Sequence, residues 1–168
     1  SGQYTYLRMN NVTDTGELDL SDLKYIDLSE AELEKCIVKN GDILFNRTNS
    51  AEHVGKTCVF DKETPMVIAG YIIRLRADTS VITPEYLVTL LNLPFMKERL
   101  HDIAVGAINQ SNINPTELKK LRIVVPPLPL QTEFSNFVKE INRQKELCDS
   151  KCHTLKEARK ALFSKYFE

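Results

Sequence analysis

From Gln131 to Glu168 the chain contains neither proline nor glycine, and within that stretch Phe134, Ile141, Cys148, Leu155 and Leu162 recur at every seventh position. The two residue types that interrupt helices are missing and the apolar period is that of packed helices, so one long helix is predicted. At a rise of ~1.5 Å per residue it runs for roughly 57 Å, about twice the width of a small domain. Most of such a helix has nothing to pack on in the preceding core, so Phe134, Ile141, Cys148, Leu155 and Leu162 are expected to meet a partner helix. The positions three and four further along include Gln144, Lys151, Lys145 and Arg159. A parallel zipper prefers an unbroken apolar seam, which favours antiparallel packing against a different or offset helix.

The residues before Pro126-Pro127 have another texture. Tyr4 to Met9 reads as a strand closed by Asn10-Asn11, and Ser29-Glu30-Ala31-Glu32 has capping-box spacing for a short helix towards Lys35. Cys36-Ile37-Val38, the turn Lys39-Asn40-Gly41-Asp42 and Ile43-Leu44-Phe45 predict a hairpin. Val54 to Phe60, Met66 to Ala69 and Tyr71 to Leu75 offer further short strands. Thr83-Pro84-Glu85 and Asn114-Pro115-Thr116-Glu117 start helices, Pro94 breaks or kinks the first of them, and Leu121 to Val125 is a β-prone run stopped by prolines. The expected fold is α/β (α+β): residues 1–127 form a domain with a twisted, mixed β-sheet and short helices, and residues 128–168 form a long coiled-coil-type helix.

With 42% hydrophobic and 27% charged residues the 168-residue chain can bury one globular core. No apolar run approaches the ~20 residues that cross a bilayer, and the N-terminus lacks the basic-then-apolar order of a signal peptide, so no membrane association and a cytoplasmic location are expected. Cys36, Cys58, Cys148 and Cys152 form no CxxC pair and are expected to be reduced. Cys148, Cys152 and His153 superficially suggest a metal clip. Three ligands fall short of a structural zinc set, so they read as small residues on a helix face. The formal net charge is -1, with six Lys/Arg against ten Asp/Glu in residues 1–60 and eight against six in residues 131–168. A free-standing non-specific DNA binder is usually far more basic, which keeps open a coiled-coil scaffold or adaptor without DNA-reading activity.

Catalytic signatures do not emerge. There is no GxGxxG and no GxxxxGK[ST], and Asn114-Pro115-Thr116-Glu117 lacks the second proline and the aromatic of an adenine methyltransferase clamp. His53, His101 and His153 form no metal-ligand spacing. Two polar runs remain. Asn46-Arg47-Thr48-Asn49-Ser50 carries an arginine suited to guanine and two asparagines suited to adenine. Gly106-Ala107-Ile108-Asn109-Gln110-Ser111-Asn112 offers four successive amide or hydroxyl side chains beside a glycine that permits close approach. Each is either an ordinary solvated loop or a surface that reads base edges and phosphates. The candidate DNA contacts are Arg47, Thr48, Asn49, Ser50, Lys56, Asn109, Gln110, Ser111 and Asn112, with Arg47 and Asn49 foremost as base readers.

Tyr6-Leu7-Arg8-Met9-Asn10-Asn11-Val12, Gly41 to Arg47, Gly55-Lys56, Pro84-Glu85-Tyr86-Leu87, Gly106 to Ile113 and Ile123 to Gln131 occur in that order. The ordered set resembles the target-recognition domain of bacterial type I restriction-modification specificity subunits. The resemblance implies a non-catalytic domain that reads one half of a split site on double-stranded DNA through the major groove, and a helix that acts as a spacer. It further implies docking to modification (methyltransferase) subunits that hold S-adenosylmethionine, and to restriction (motor-nuclease) subunits that use ATP and magnesium. No cofactor is expected in this chain. Specificity subunits of this family carry two such domains and two long antiparallel helices. One domain and one helix here leave two expectations open: a piece of a longer subunit, or a short subunit that pairs with itself through its helix.

Overall fold

The computed structural model describes residues 2–50, 52–107 and 110–167. Among the described residues ten short strands fall into three small sheets. The first is mixed: β1 (Tyr4–Leu7) lies antiparallel to β2 (Lys24–Ile26) and parallel to β7 (Met66–Ile68), which pairs antiparallel with β3 (Ile37–Val38). The second is antiparallel, with β4 (Ile43–Asn46) between β6 (Thr57–Val59) and β8 (Ile72–Leu75). In the third, β10 (Gln110–Ile113) runs antiparallel between β5 (Thr48–Asn49) and β9 (Ala104–Ala107). Leu7, Val12, Val38, Leu44, Cys58, Phe60, Met66, Ile68 and Ile72 form a buried core that joins the first two sheets. Each such side chain contributes roughly 1.5–3 kcal/mol when fully buried.

Local chemistry sets the helix starts. Ser29 donates its N–H and its hydroxyl to the Glu32 carboxylate at 3.0 and 2.6 Å, closing the capping box of α1 (Glu30–Cys36). Thr83 accepts from the Tyr86 N–H at the start of α2 (Pro84–Asn92), and Asn114 accepts from the Thr116 N–H at the start of α4 (Pro115–Lys120). The α2 helix breaks before Pro94, with Leu93 extended, as is favoured for the residue preceding a proline. Pro94 occupies the first position of α3 (Pro94–Asp102), where its missing N–H costs no hydrogen bond.

Two expectations are corrected. Ile37–Val38 and Ile43–Asn46 are strands but do not pair with each other; they enter different sheets. A two-residue type I′ hairpin needs positive φ at both central residues, and here only Gly41, at +88°, has it. The turn is instead tied elsewhere: Gly41 donates to the Phe60 carbonyl, and the buried Asp42 carboxylate accepts from the Lys39 N–H at 3.0 Å and from Arg76 Nε at 2.9 Å. Leu121 to Val125 is not a strand, despite its composition. No sheet edge among the described residues meets it, Val124 is 74% exposed, and the Val124 carbonyl accepts from the Tyr86 hydroxyl at 2.8 Å.

The chain divides into two compact units, residues 1–132 and 133–168. The long helix α5 (Leu128–Phe167) begins inside the first unit. There Gln131, fully buried, accepts from the Thr83 N–H at 2.8 Å and donates to the carbonyls of Val81 and Pro126 at 2.8 and 2.7 Å. Within the second unit Glu140 pairs with Arg143 and accepts from Gln144, and Ile141, Leu147, Leu155, Leu162, Phe163 and Tyr166 are exposed.

Candidate nucleic-acid interface

All four residues of β4 are buried, and the strand leaves its sheet through Arg47. The Arg47 N–H donates to the Tyr71 carbonyl at 2.9 Å, while its carbonyl accepts from the Ile113 N–H at 2.8 Å. One residue thus closes the ladder of the second sheet and opens that of the third. Before it, Asn46 is fully buried and donates from Nδ2 to the Met9 carbonyl at 3.0 Å. Its backbone holds the following turn from both sides, donating to the Lys56 carbonyl and accepting from the Gly55 N–H. Gly55 has φ of +79°, and a Cβ there would stand 3.0 Å from Leu100 Cδ1, so both the backbone and the space call for glycine.

The third sheet brings the two polar runs together. Ser111 lies opposite Asn49 and Asn112 opposite Thr48, so residues more than sixty positions apart share one ladder. Asn112 Oδ1 accepts from Arg47 Nε at 3.1 Å and from Thr48 Oγ1 at 2.8 Å. Two donors on one oxygen fix the amide's orientation and point its NH2 group away from Arg47 and Thr48. Gln110 to Asn112 of the second run therefore belong to a paired strand rather than a loop. Polar residues of modest β-propensity are held extended because Thr48–Asn49 supplies the matching edge.

Of the candidate residues, Arg47, Thr48, Asn49, Ser111 and Asn112 meet on this sheet. Gln110 joins it through its backbone, opposite Ala107. Ser50 is exposed at the next turn, where its N–H donates to Asn49 Oδ1 at 2.9 Å. Asn109 lies outside the described residues. Lys56 is largely enclosed, its side chain 11% exposed and its ammonium 3.9 Å from Asp14.

Sequence reasoning did not single out the neighbours of Lys56. His53 Nδ1 lies 3.0 Å from Asp14 Oδ1, and Lys97, from α3, donates to the Gly55 carbonyl at 2.6 Å. Burial pushes the Lys97 ammonium down from 10.5 to about 8, opposed by Asp14 and assisted by Lys56. Between about pH 8 and the ordinary lysine value the folded chain therefore holds fewer protons than the unfolded chain, so this group makes stability rise with pH across that window. Below pH 8 the charged amine costs stability in full. Lys97→Met is expected to raise the unfolding free energy at pH 7 by about 1 kcal/mol, since the Gly55 carbonyl keeps the Thr57 hydroxyl as donor. The variant should also lack this group's rise above pH 8; urea unfolding at pH 7, 8.5 and 9.5 measures both effects.

Among the described residues no group of His, Cys, Asp and Glu is placed to hold a metal ion, and Cys148 and Cys152 are free and exposed. No helix among them is long and apolar enough to cross a membrane.

This architecture, a small α/β unit entered by a long C-terminal helix, has solved counterparts. The specificity (HsdS) subunit from Thermoanaerobacter tengcongensis superposes with a TM-score of 0.68 at 15% identity, over 96% of this chain and 41% of that one. A chain from a study of complex assembly and conformational transition of the type I R-M system reaches 0.73 at 15% identity, over 98% of this chain and 42% of that one. At such identity these show a shared fold. By sequence, the chain is 33% identical over 98% of its length to a Methanocaldococcus jannaschii protein described as the type I restriction enzyme MjaX specificity subunit, of which it covers 39%. It is 26% identical over 80% of its length to the EcoKI specificity subunit of Escherichia coli, covering 29% of that protein. The chain thus spans well under half the length of these relatives. The family model for the type I restriction modification DNA specificity domain matches residues 1–157, which takes in the sheets, the polar strands and most of α5. This chain belongs to the type I restriction modification DNA specificity domain family.

Proposed function

We propose that residues 1–127 read one half of a split site on double-stranded DNA, and that residues 128–168 form the spacer that pairs with a second helix and docks modification subunits. The observation that carries this reading is the third sheet, where Arg47, Thr48, Asn49, Ser111 and Asn112 are gathered on two adjacent strands. A two-stranded ribbon fits the major groove, where arginine and amide side chains distinguish base pairs. The chain supplies shape and hydrogen bonding; methyl transfer from S-adenosylmethionine belongs to the modification subunits, and ATP- and magnesium-dependent translocation and cleavage to the restriction subunits. The formal charge of -1 fits a reader whose phosphate grip is shared with such partners.

Co-expression with the modification subunit from the same genome, followed by sequencing of modified bases in the host DNA, tests the reading. A split motif carrying N6-methyladenine is expected, and its loss on deletion of residues 139–168, which spares the buried Gln131 and Ser135, assigns the spacer. A complex that forms but binds every duplex alike would sink the DNA-reading role and leave a scaffold. Within a positive result, Arg47→Ala is expected to relax preference at the base pair it contacts by about 1–3 kcal/mol, with no uniform loss across sequences. Competition binding with singly substituted duplexes reads this out. A uniform loss across all sequences would instead mark Arg47 as a phosphate contact.

A further inference from the structure

Accepting the DNA-reading role proposed above, we infer that Asn112 and Val105 together read a single thymine. The two residues lie directly opposite each other in the β9–β10 ladder, and opposed residues of an antiparallel pair project from the same face, about 5 Å apart at Cβ. Ile113, next to Asn112 and therefore on the other face, is fully buried, so that face turns to the core. The face with Asn112 and Val105 is buried at Thr48, half-buried at Asn112 and open to solvent at Val105, which is 78% exposed. The exposed valine leaves its methyl groups available to a ligand beside the oriented amide.

Both acceptor sites of Asn112 Oδ1 are engaged, by Arg47 Nε and Thr48 Oγ1. What Asn112 has left for a base is its NH2, a donor, which has no partner among the described residues. A donor accepts as targets thymine O4, guanine O6 and purine N7, and it opposes the N4 amino group of cytosine. The valine methyls add a second condition, an apolar group at the groove edge, and of the four bases only thymine offers one, the C5-methyl beside O4. The pair therefore asks for O4 and a methyl on one base edge. Adenine and guanine lack the methyl; cytosine lacks both. Arg47, through its hold on Oδ1, acts here as a positioning residue as well as a candidate reader.

The test uses the whole chain assembled with its modification subunit, first to select preferred sites from a pool of randomised duplexes, then to measure binding to defined ones. One half-site position should be a required thymine. Replacing that thymine by deoxyuridine removes the methyl alone and should weaken wild-type binding roughly fourfold, the value of one buried methyl group. In V105A, whose altered side chain is exposed and carries no folding role, thymine and deoxyuridine should bind equally. In N112D the aspartate keeps one oxygen for Arg47 and Thr48 and turns the other outward as an acceptor, so the preferred base at that position should change from thymine to one with an exocyclic amino donor, cytosine or adenine. Sequence-specific binding in which no thymine methyl matters to the wild type and not to V105A, or in which N112D leaves the preference at thymine, overturns this assignment alone. Absence of any sequence preference in the wild-type complex overturns it together with the DNA-reading role.

Discussion

Gln131→Leu is expected to lower the unfolding free energy of the N-terminal unit by about 4 kcal/mol, a loss large enough to move its urea midpoint by more than 1 M. Leucine fills nearly the same space, so the effect isolates hydrogen bonding from packing. In its place the Thr83 N–H and the carbonyls of Val81 and Pro126 lose a partner at the part-buried bonds around the fully buried Gln131. A buried backbone group without a partner costs roughly 1–3 kcal/mol, and three are affected. Circular dichroism through a urea titration measures the change; a loss under ~1 kcal/mol would mean that water or a shifted backbone satisfies these groups. The residue ties the cap of α2, the segment before it and the proline junction to the first turn of α5.

The paired substitution Ile141→Asp with Leu155→Asp is expected to abolish helix pairing while the N-terminal unit keeps its unfolding midpoint. Both side chains are exposed on α5, Leu155 at 70%, and both stand in the heptad series with Phe134, Cys148 and Leu162. Covering each by a partner helix would contribute roughly 1.5–3 kcal/mol, and an aspartate left there adds the cost of burying a charge. Together these weaken association by at least 100-fold. Sedimentation of the chain alone, and with its modification subunit, reads the assembly state. Unchanged assembly would count against the pairing role of this stripe.

The helix was the most legible part of the sequence, because a run without proline or glycine and a seven-residue apolar period both depend only on neighbours along the chain. Helix starts at Ser29, Thr83 and Asn114 were legible for the same reason. What could not be read was partnership across the chain. Ile37-Val38 and Ile43-Leu44-Phe45 have the composition of a hairpin, yet Gly41 is held by Phe60 and Asp42 by Arg76, residues whose proximity depends on the finished fold. Leu121 to Val125 has strong β-propensity and no edge to join among the described residues. Conversely, Gln110 to Ile113 is a strand because Thr48–Asn49 meets it. The polar runs were recognisable as candidates one at a time; their union, and the exposed Val105 beside Asn112, follow from pairing that local sequence does not encode.

The division of labour between sheets bears on how such a protein changes its target over time. The core that joins the first two sheets draws no residue from β5, β9 or β10. The third sheet is joined to the second through the backbone of Arg47, whose peptide groups bond on both sides whatever its side chain does. On the proposed reading, a substitution at a solvent-exposed position of the β9–β10 ribbon such as Val105 can therefore alter which bases are accepted while the folding free energy stays nearly constant. Selection for a new recognition sequence can then explore many variants without first passing through unstable ones.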